Sequence, residues 1–256
     1  MRILYGSQTN QGRVRTSNED SYVANSAIGL SLVADGMGGH AAGEIASQLA
    51  ASTINAWVMA HNADSEQPAE MLRRGALEAN NRVFEAQRQD RSLAGMGSTL
   101  TALLFQGEHY YIAHVGDSRA YRLRDGMLTQ LTRDHSLVWH LYENGVLAKS
   151  DLARHPQKNL ITRSIGSHSQ VEIDIEEGQG RAGDVYLLSS DGLTDGVPEE
   201  DICAVLSDPR KTPQEMADHL VEAANQAGGP DNITVVVIRL EADGVPPEIR
   251  EKSRQN

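Results

Sequence analysis

Residues 29–39 read Gly-Leu-Ser-Leu-Val-Ala-Asp-Gly-Met-Gly-Gly, and the fold turns on them. An apolar run able to fill the interior of a sheet stops on Asp35-Gly36, and two more glycines follow at 38 and 39. The same grammar returns at residues 185–190 (VYLLSS), which end on Asp191-Gly192, and at 110–115 (YYIAHV), which deliver Gly116-Asp117. At the last apolar run the order reverses: Pro230-Asp231-Asn232 precedes ITVVVIRL (233–240), so the acid stands at a strand entrance. One Asp-Gly pair alone reads as a turn. Four acids at the margins of the strongest apolar runs read as a site, because a hard-cation centre built on a sheet needs carboxylates delivered by strand ends.

Outward from that stretch, residues 2–8 and 21–25 read as short strands around a polar connection, 9–20, that carries Arg13, Arg15, Asn18, Glu19 and Asp20. After Gly39 a helix is expected over 42–61, with Ile45, Leu49, Thr53 and Trp57 at a spacing of four. A second helix begins near Pro68, a favourable first-turn residue, and runs to about Asp90 with Leu72, Ala76, Ala79 and Val83 as its buried stripe. Two successive helices between strands exclude simple βαβ alternation. From 99 to 130 the turns at Gly107-Glu108 and Asp125-Gly126 predict a meander of hairpins, hence antiparallel strands.

Residues 132–166 depart from this pattern. A short helix is expected over 134–144, stopped by Gly145, and the mixed polar sequence that follows reads as an excursion covering the site. The chain returns to the core with strands at 171–175 and 185–190, and with helices at 199–206 and 213–227, the second ended by Gly228-Gly229. The expected architecture is α+β: mainly antiparallel sheet covered by helices gathered into blocks, in one domain over 1–240, with a polar tail at 241–256.

Composition narrows the function. A chain of 256 residues with a net charge of −12 lacks the basic field that a nucleic-acid or anionic-membrane surface requires. Cys203 is the only cysteine, which excludes an internal disulfide and a thiolate metal cluster; within Ile-Cys-Ala-Val-Leu (202–206) it reads as a small core residue. The N-terminal MRILYGSQ has no long apolar segment and no window reaches 18 apolar residues, so a soluble cytoplasmic protein is the expectation, with a monomer as default.

Asp35, Asp117, Asp191 and Asp231 are the acids expected to converge, with Glu19 and Asp20 close by. Like charges so placed raise one another's proton affinity unless a cation offsets them. All the candidate ligands are oxygen, which suits Mg²⁺ or Mn²⁺; zinc or copper would recruit His or Cys. Gly36 has no side chain to keep its carbonyl from a cation, and the glycines after it let substrate approach the backbone. A centre of two such ions suits phosphoryl transfer to water, with an arginine, Arg15 or Arg13, binding the phosphoryl group in bidentate fashion. No nucleophile-elbow serine or thiol site is present, which predicts direct hydrolysis. His40, after the glycines, is placed to donate a proton to the leaving oxygen.

The ordered segments resemble the metal-dependent protein serine/threonine phosphatases of the PP2C (PPM) family, compact bacterial type. They are Arg15-x-x-Asn18-Glu19-Asp20, Asp35-Gly36-Met37-Gly38-Gly39-His40, Gly97-Ser98-Thr99, Gly116-Asp117-Ser118-Arg119, Asn159-x-Ile161-Thr162-Arg163-x-Ile165-Gly166, Ser190-Asp191-Gly192-Leu193-Thr194-Asp195 and Asp231-Asn232-Ile233-Thr234. The resemblance implies a four-layer α-β-β-α sandwich whose two central sheets are flanked by helices, with a cleft at one edge. It implies that Asp35 bridges two metals, that the Gly36 carbonyl joins one, and that Asp191 and Asp231 serve the other. Glu19 and Asp20 would act through bound waters, Arg15 would bind phosphate, and Asp117 with Asp191 would hold a third, weaker ion. Residues 133–165 match the family's flap. Where eukaryotic members carry a histidine directly after Asp-Gly, this chain has Met37, which donates no proton.

The expected activity is hydrolysis of phosphoserine and phosphothreonine in proteins, opposing a bacterial Ser/Thr kinase. A noncatalytic phosphoprotein-binding module is the alternative class. A phosphatase dedicated to an anti-sigma or secretion-system switch is the narrower enzymatic reading.

Overall fold

The computed structural model describes residues 1–38, 42–62 and 67–243. In chain order the strands and helices are β1 (Arg2–Asn10), β2 (Asp20–Asn25), β3 (Leu30–Met37), α1 (Ala42–His61), α2 (Pro68–Gln89), β4 (Gly97–Ser98), β5 (Leu100–Gln106), β6 (His109–Val115), β7 (Arg119–Arg124), β8 (Met127–Gln130), α3 (Leu137–Glu143), β9 (Asp174–Gln179), β10 (Val185–Ser189), α4 (Asp191–Thr194), α5 (Glu199–Ser207), α6 (Pro213–Gln226) and β11 (Ile233–Glu241). One sheet has the order β1-β11-β10-β7-β8; the other has β2-β3-β5-β6-β9, with β4 pairing β3. Every pairing is antiparallel.

The strongest apolar runs lie where both faces of a strand are covered. Along β11, Ile233, Val235 and Val237 face the α5/α6 layer, while Val236, Ile238 and Leu240 face the other sheet. Along β3, Leu30, Leu32 and Ala34 join the core under α1 and α2, and Val33 joins the core between the sheets. Alternation with a period of two therefore feeds two cores at once, which is why these strands carry few polar residues. The result is the expected layering of helices, sheet, sheet and helices.

Close approach of layers depends on small residues. A Cβ on Gly6 would overlap the backbone of Pro213 and Gln214, so glycine lets the start of α6 sit directly on β1. That helix start is fixed by a capping box: Glu215 N–H donates to Thr212 Oγ1 (3.2 Å) and Thr212 N–H donates to Glu215 Oε2 (2.7 Å). On α1 the buried positions are mostly small: Ala42, Gly43, Ala46, Ser47, Ala50 and Ala51. Of the expected stripe, Thr53 is buried and Leu49 and Trp57 pack against the core, but Ile45 is 38% exposed and the alanine face packs on the sheet beside them. The stripe expected of α2 (Leu72, Ala76, Ala79, Val83) is buried as read.

Three further boundaries differ from expectation. The short helix begins at Leu137, not at 134, because the Ser136 hydroxyl caps it by accepting from Trp139 N–H (3.3 Å). The return strand is β9 at 174–179, set by pairing with β6, where Asp174 stands opposite His114. The stretch at 91–98 contains a 3₁₀ turn and β4, whose Gly97 and Ser98 pair with Met37 and Gly36. The tail beyond 243 lies outside the described residues.

Candidate active site

Four chain segments meet where the two sheets share an edge. Asp35 lies on β3, two residues before its end, and is the register partner of Asp20 at the start of β2. Its backbone is fixed by Thr99: Thr99 N–H donates to Asp35 O (2.8 Å) and Asp35 N–H donates to Thr99 Oγ1 (2.8 Å). From the opposite sheet, Ser190 bridges across. Its hydroxyl donates to Asp20 Oδ2 (2.8 Å) and accepts from Thr234 N–H (3.0 Å). Asp191 follows as the first residue of α4, and Asp117 follows β6.

A Cβ on Gly36 would overlap the Gly43 carbonyl, and one on Gly43 would overlap the Glu19 carboxylate. The two glycines thus let β3, the start of α1 and the Glu19 side chain converge.

The electrostatics of this edge are those of crowded acids. Partial burial first, then repulsion from Asp20, Asp191, Asp117 and Asp231, raises the Asp35 carboxyl well above the usual carboxylate range. Burial, then Asp117, Asp195, Asp231 and Asp20, does the same to Asp191. Burial, with Asp134 and Asp195 adding to it, pushes Asp117 to about 7, and burial with Asp231 behind it pushes Asp20 to about 6. Burial also raises Glu19.

Asp20 Oδ1, Asp117 Oδ1 and Asp191 Oδ1 are all buried without a hydrogen-bond partner. Acceptor oxygens orphaned in this way in a cluster of like charge fit a hard cation, which is what an all-oxygen donor set would hold. Among the described residues, no three His, Cys, Asp or Glu side chains are gathered tightly enough to cage an ion by themselves. A cation here would share its coordination with backbone carbonyl and solvent.

Asp231, before β11, has both carboxylate oxygens engaged. Oδ2 accepts from Arg15 Nη2 (2.7 Å) and Oδ1 from Asn232 N–H (2.8 Å). The Arg15 side chain is 53% exposed, so its guanidinium borders the cleft. Arg13 lies nearby, its N–H donating to Gly229 O (2.8 Å). His40 falls outside the described residues.

The loop that carries Arg15 and Glu19 is tied to the acids by Asn232, a residue whose role sequence reading missed. Its Oδ1 accepts from Glu19 N–H (2.8 Å), and its Nδ2 donates to the carbonyls of Gln11 (2.9 Å) and Ser17 (2.8 Å). Ser190 was likewise read only as a strand end. In both cases the signal is a short polar residue directly beside a candidate acid, although its partner lies 170 or more residues away.

Asp117 and Asp191 open onto a cleft of about 300 Å³ between α4–α5 and residues 134–159. Trp139, Leu152, Val197 and Pro198 line its apolar part. Lys158 Nζ meets Asp195 Oδ2 at 2.5 Å and Lys149 Nζ meets Glu199 Oε2 at 3.7 Å, so ion pairs link its two walls. This is where the expected flap lies.

Two antiparallel sheets between helical layers, with acids from both sheets meeting at the shared edge beside an arginine, define the class of α-β-β-α sandwich proteins. A family model described as protein phosphatase 2C matches residues 8–228, and the chain belongs to the protein phosphatase 2C family. The serine/threonine protein phosphatase PstP of Mycobacterium tuberculosis is 44% identical over 238 residues, which make up 92% of this chain and 44% of that protein. The chain thus spans less than half the length of the first curated relatives it matches. A crystal structure of the catalytic domain of PstP in complex with two manganese ions is similar with a TM-score of 0.83 at 39% identity, covering 94% of this chain and 99% of that one. PppA, a key regulatory component of the T6SS in Pseudomonas aeruginosa, is similar with a TM-score of 0.83 at 37% identity, covering 93% and 98%. No helix among the described residues is long and apolar enough to cross a membrane.

Proposed function

We infer that this chain hydrolyses phosphoserine and phosphothreonine in proteins and depends on Mn²⁺ or Mg²⁺. The observation that carries the reading is the set of buried, unpartnered carboxylate oxygens on Asp20, Asp117 and Asp191 beside Asp35. Ionised acids this close are tenable near neutral pH only with positive charge between them. Asp35, the Gly36 carbonyl, Asp191 and Asp231 would hold two ions, with Asp117 and Asp191 holding a third more weakly and Glu19 and Asp20 acting through water. Once bound, such ions lower the pKa of water and stabilise charge on transferring phosphoryl oxygens.

The chain's own residues do the rest. Asp35 and Asp20, locked by Thr99 and Ser190, fix where the attacking oxygen stands. Arg15 presents a planar fork to the phosphoryl oxygens, and its partner Asp231 keeps it aimed along the cleft edge. Met37 has no proton to give, so the proton for the leaving oxygen would come from His40 or from a bound water. The flap and α4–α5 supply the walls against which the substrate polypeptide lies.

Support from relatives is that PstP is named a serine/threonine protein phosphatase and that its catalytic domain was crystallised with two manganese ions. We place the protein in the cytoplasm, opposing a Ser/Thr kinase. The likeness to PppA favours, as the second reading, service to a secretion system.

The test is phosphate release from phosphothreonine peptides with and without Mn²⁺. Metal-dependent turnover, lost on chelation and reduced at least ~10³-fold in Asp191→Asn, is expected. Peptide binding without turnover would instead indicate a noncatalytic module. Phosphoproteomics of a deletion strain rescued with active or Asp191→Asn protein then separates kinase targets from secretion components.

A further inference from the structure

The segment Thr132 to Ser136, between β8 and α3, is not used by the chemistry above. Within it, His135 grips both peptide groups of a single residue, Gly116. Gly116 N–H donates to His135 Nδ1 (3.0 Å), and His135 N–H donates to Gly116 O (2.7 Å). Gly116 immediately precedes Asp117. It has φ +109°, and a Cβ there would overlap Thr99, so this turn holds a backbone shape that needs outside support.

The ring tautomer follows from its partners. Gly116 N–H can only donate, so Nδ1 is bare and the proton sits on Nε2. Nε2 faces Asp174 Oδ2 at 3.2 Å. Arg163 Nη1 lies 3.0 Å from the same nitrogen and finds its acceptor in Asp174 Oδ1 at 2.5 Å. Burial holds the His135 ring below its usual protonation range, hence neutral. Burial works to raise Asp174, but hydrogen bonds from His135 and Arg163 outweigh it and keep the carboxylate ionised. The His135 side chain is 6% exposed, so the ring is buried, while Arg163 and Asp174 hold it from the side that borders solvent.

The same cluster closes the base of the flap. His135 stands at its beginning and Arg163 near its end. His135 O accepts from Thr162 N–H (2.8 Å), and Ser136 and Ile161 form an antiparallel bridge. We propose that His135, oriented by Asp174 and Arg163, is the positioning residue for Asp117, and that through it the base of the flap sets how firmly the outer site of Asp117 and Asp191 holds a divalent ion. The proposal rests on Asp117 being a cation ligand, as inferred above. By linkage, loading that outer site firms the flap base.

Calorimetric titration of the whole chain with Mn²⁺ tests it, using the wild type, Asp117→Ala, His135→Leu, His135→Asn and Asp174→Asn. Asp117→Ala is expected to abolish the weakest Mn²⁺ step. His135→Leu is expected to weaken that step by about 10- to 100-fold while leaving the tighter steps unchanged. His135→Asn, whose side-chain carbonyl stands near the place of Nδ1, is expected to recover most of the loss. Asp174→Asn, which keeps the ring but removes the charge that orients it, is expected to fall between.

A weakest step within about twofold of wild type in both His135→Leu and Asp174→Asn overturns the proposal, as does a uniform weakening of every step that His135→Asn does not relieve. Should His135→Leu fail to fold, His135→Asn and Asp174→Asn decide alone: wild-type affinity in both overturns it. A weakest step that survives Asp117→Ala takes down the cation reading of Asp117 and this proposal with it.

Discussion

Asp20 and Asp35 face each other as register partners across β2 and β3, two like charges at adjacent positions of one antiparallel pair. Such a pair is destabilising when both are ionised. Ser190 relieves one oxygen of Asp20, and the other has no partner. The site is therefore built under electrostatic load, and its stability depends on what neutralises it.

Chelation should expose that load. In metal-free protein, Asp20 and Asp117, pushed by burial to about 6 and about 7, bind protons more tightly folded than unfolded. Folding stability from these groups is present at low pH and is lost as pH rises through those values. Thermal melts from pH 6.5 to 8 should show a Tm that falls with pH in chelator and is nearly flat in Mn²⁺. At 100 times the dissociation constant, Mn²⁺ should add about 2.7 kcal/mol. Asp35→Asn should raise the metal-free Tm at pH 8 and abolish turnover. An unchanged metal-free Tm would argue against the load.

Arg15 offers a separable test. Its bond to Asp231 is half-exposed, so removing the guanidinium should hardly alter the Tm. The hydrogen bond that Arg15 donates to Asp231, ahead of other effects, raises the arginine's own pKa, so the charge is permanent. Loss of charge-assisted contacts to the phosphoryl group should lower kcat/KM about 10- to 100-fold in Arg15→Ala. Arg15→Lys should recover only part, since a point charge cannot match the planar fork. Steady-state kinetics on a phosphothreonine peptide, alongside a melt, check both halves.

His114 predicts a pH dependence away from the acids. The ring is fully buried, with Nε2 3.0 Å from Arg133 O and Nδ1 3.0 Å from Thr101 Oγ1. Burial, then the neighbouring His135, pushes it down to about 3. Unfolded, the residue takes a proton near pH 6.5; folded, it resists until far lower. Its contribution is thus fully present above about pH 6.5 and is lost as pH falls toward 3, at up to about 1.4 kcal/mol per unit. The stability difference between wild type and His114→Gln, measured by denaturant from pH 7 to 4.5 in Mn²⁺, should shrink as pH falls. A constant difference would mean the ring takes its proton in the fold as readily as it does unfolded.

Much of this was legible in the sequence because it is local. The apolar runs at β3, β10 and β11 marked strands covered on both faces, and the acids at their margins are the ones that meet. Other features belong to the assembled chain. Ile45, the first residue of the α1 stripe, is exposed because helix-to-sheet packing selected the alanine face there, which periodicity of large residues cannot register. The helix at 134 failed because Ser136 caps it and His135 is committed to Gly116. Asn232 and Ser190 act on partners more than 150 residues distant, and no local pattern carries that distance.

Asn232 shows what such a tie is worth. It is 5% exposed, and its amide satisfies Glu19 N–H and the carbonyls of Gln11 and Ser17, spanning both ends of the loop that carries Arg15. Asn232→Ala strands these backbone groups, at about 1–3 kcal/mol for each that water cannot reach. Because the loop's outer side is exposed, solvent should satisfy some of them, and a total loss of about 3 kcal/mol is expected. What remains folded should bind phosphate poorly, since Arg15 and Glu19 lose their common anchor. KM should therefore rise more than kcat falls. Asn232→Asp keeps the acceptor for Glu19 N–H but loses both donors and sets a further negative charge beside Asp231. It should be less stable than Asn232→Ala in chelator and should recover in Mn²⁺, a reversal that loss of packing alone would not produce. Denaturant unfolding of both variants with and without Mn²⁺, paired with peptide kinetics, checks the order.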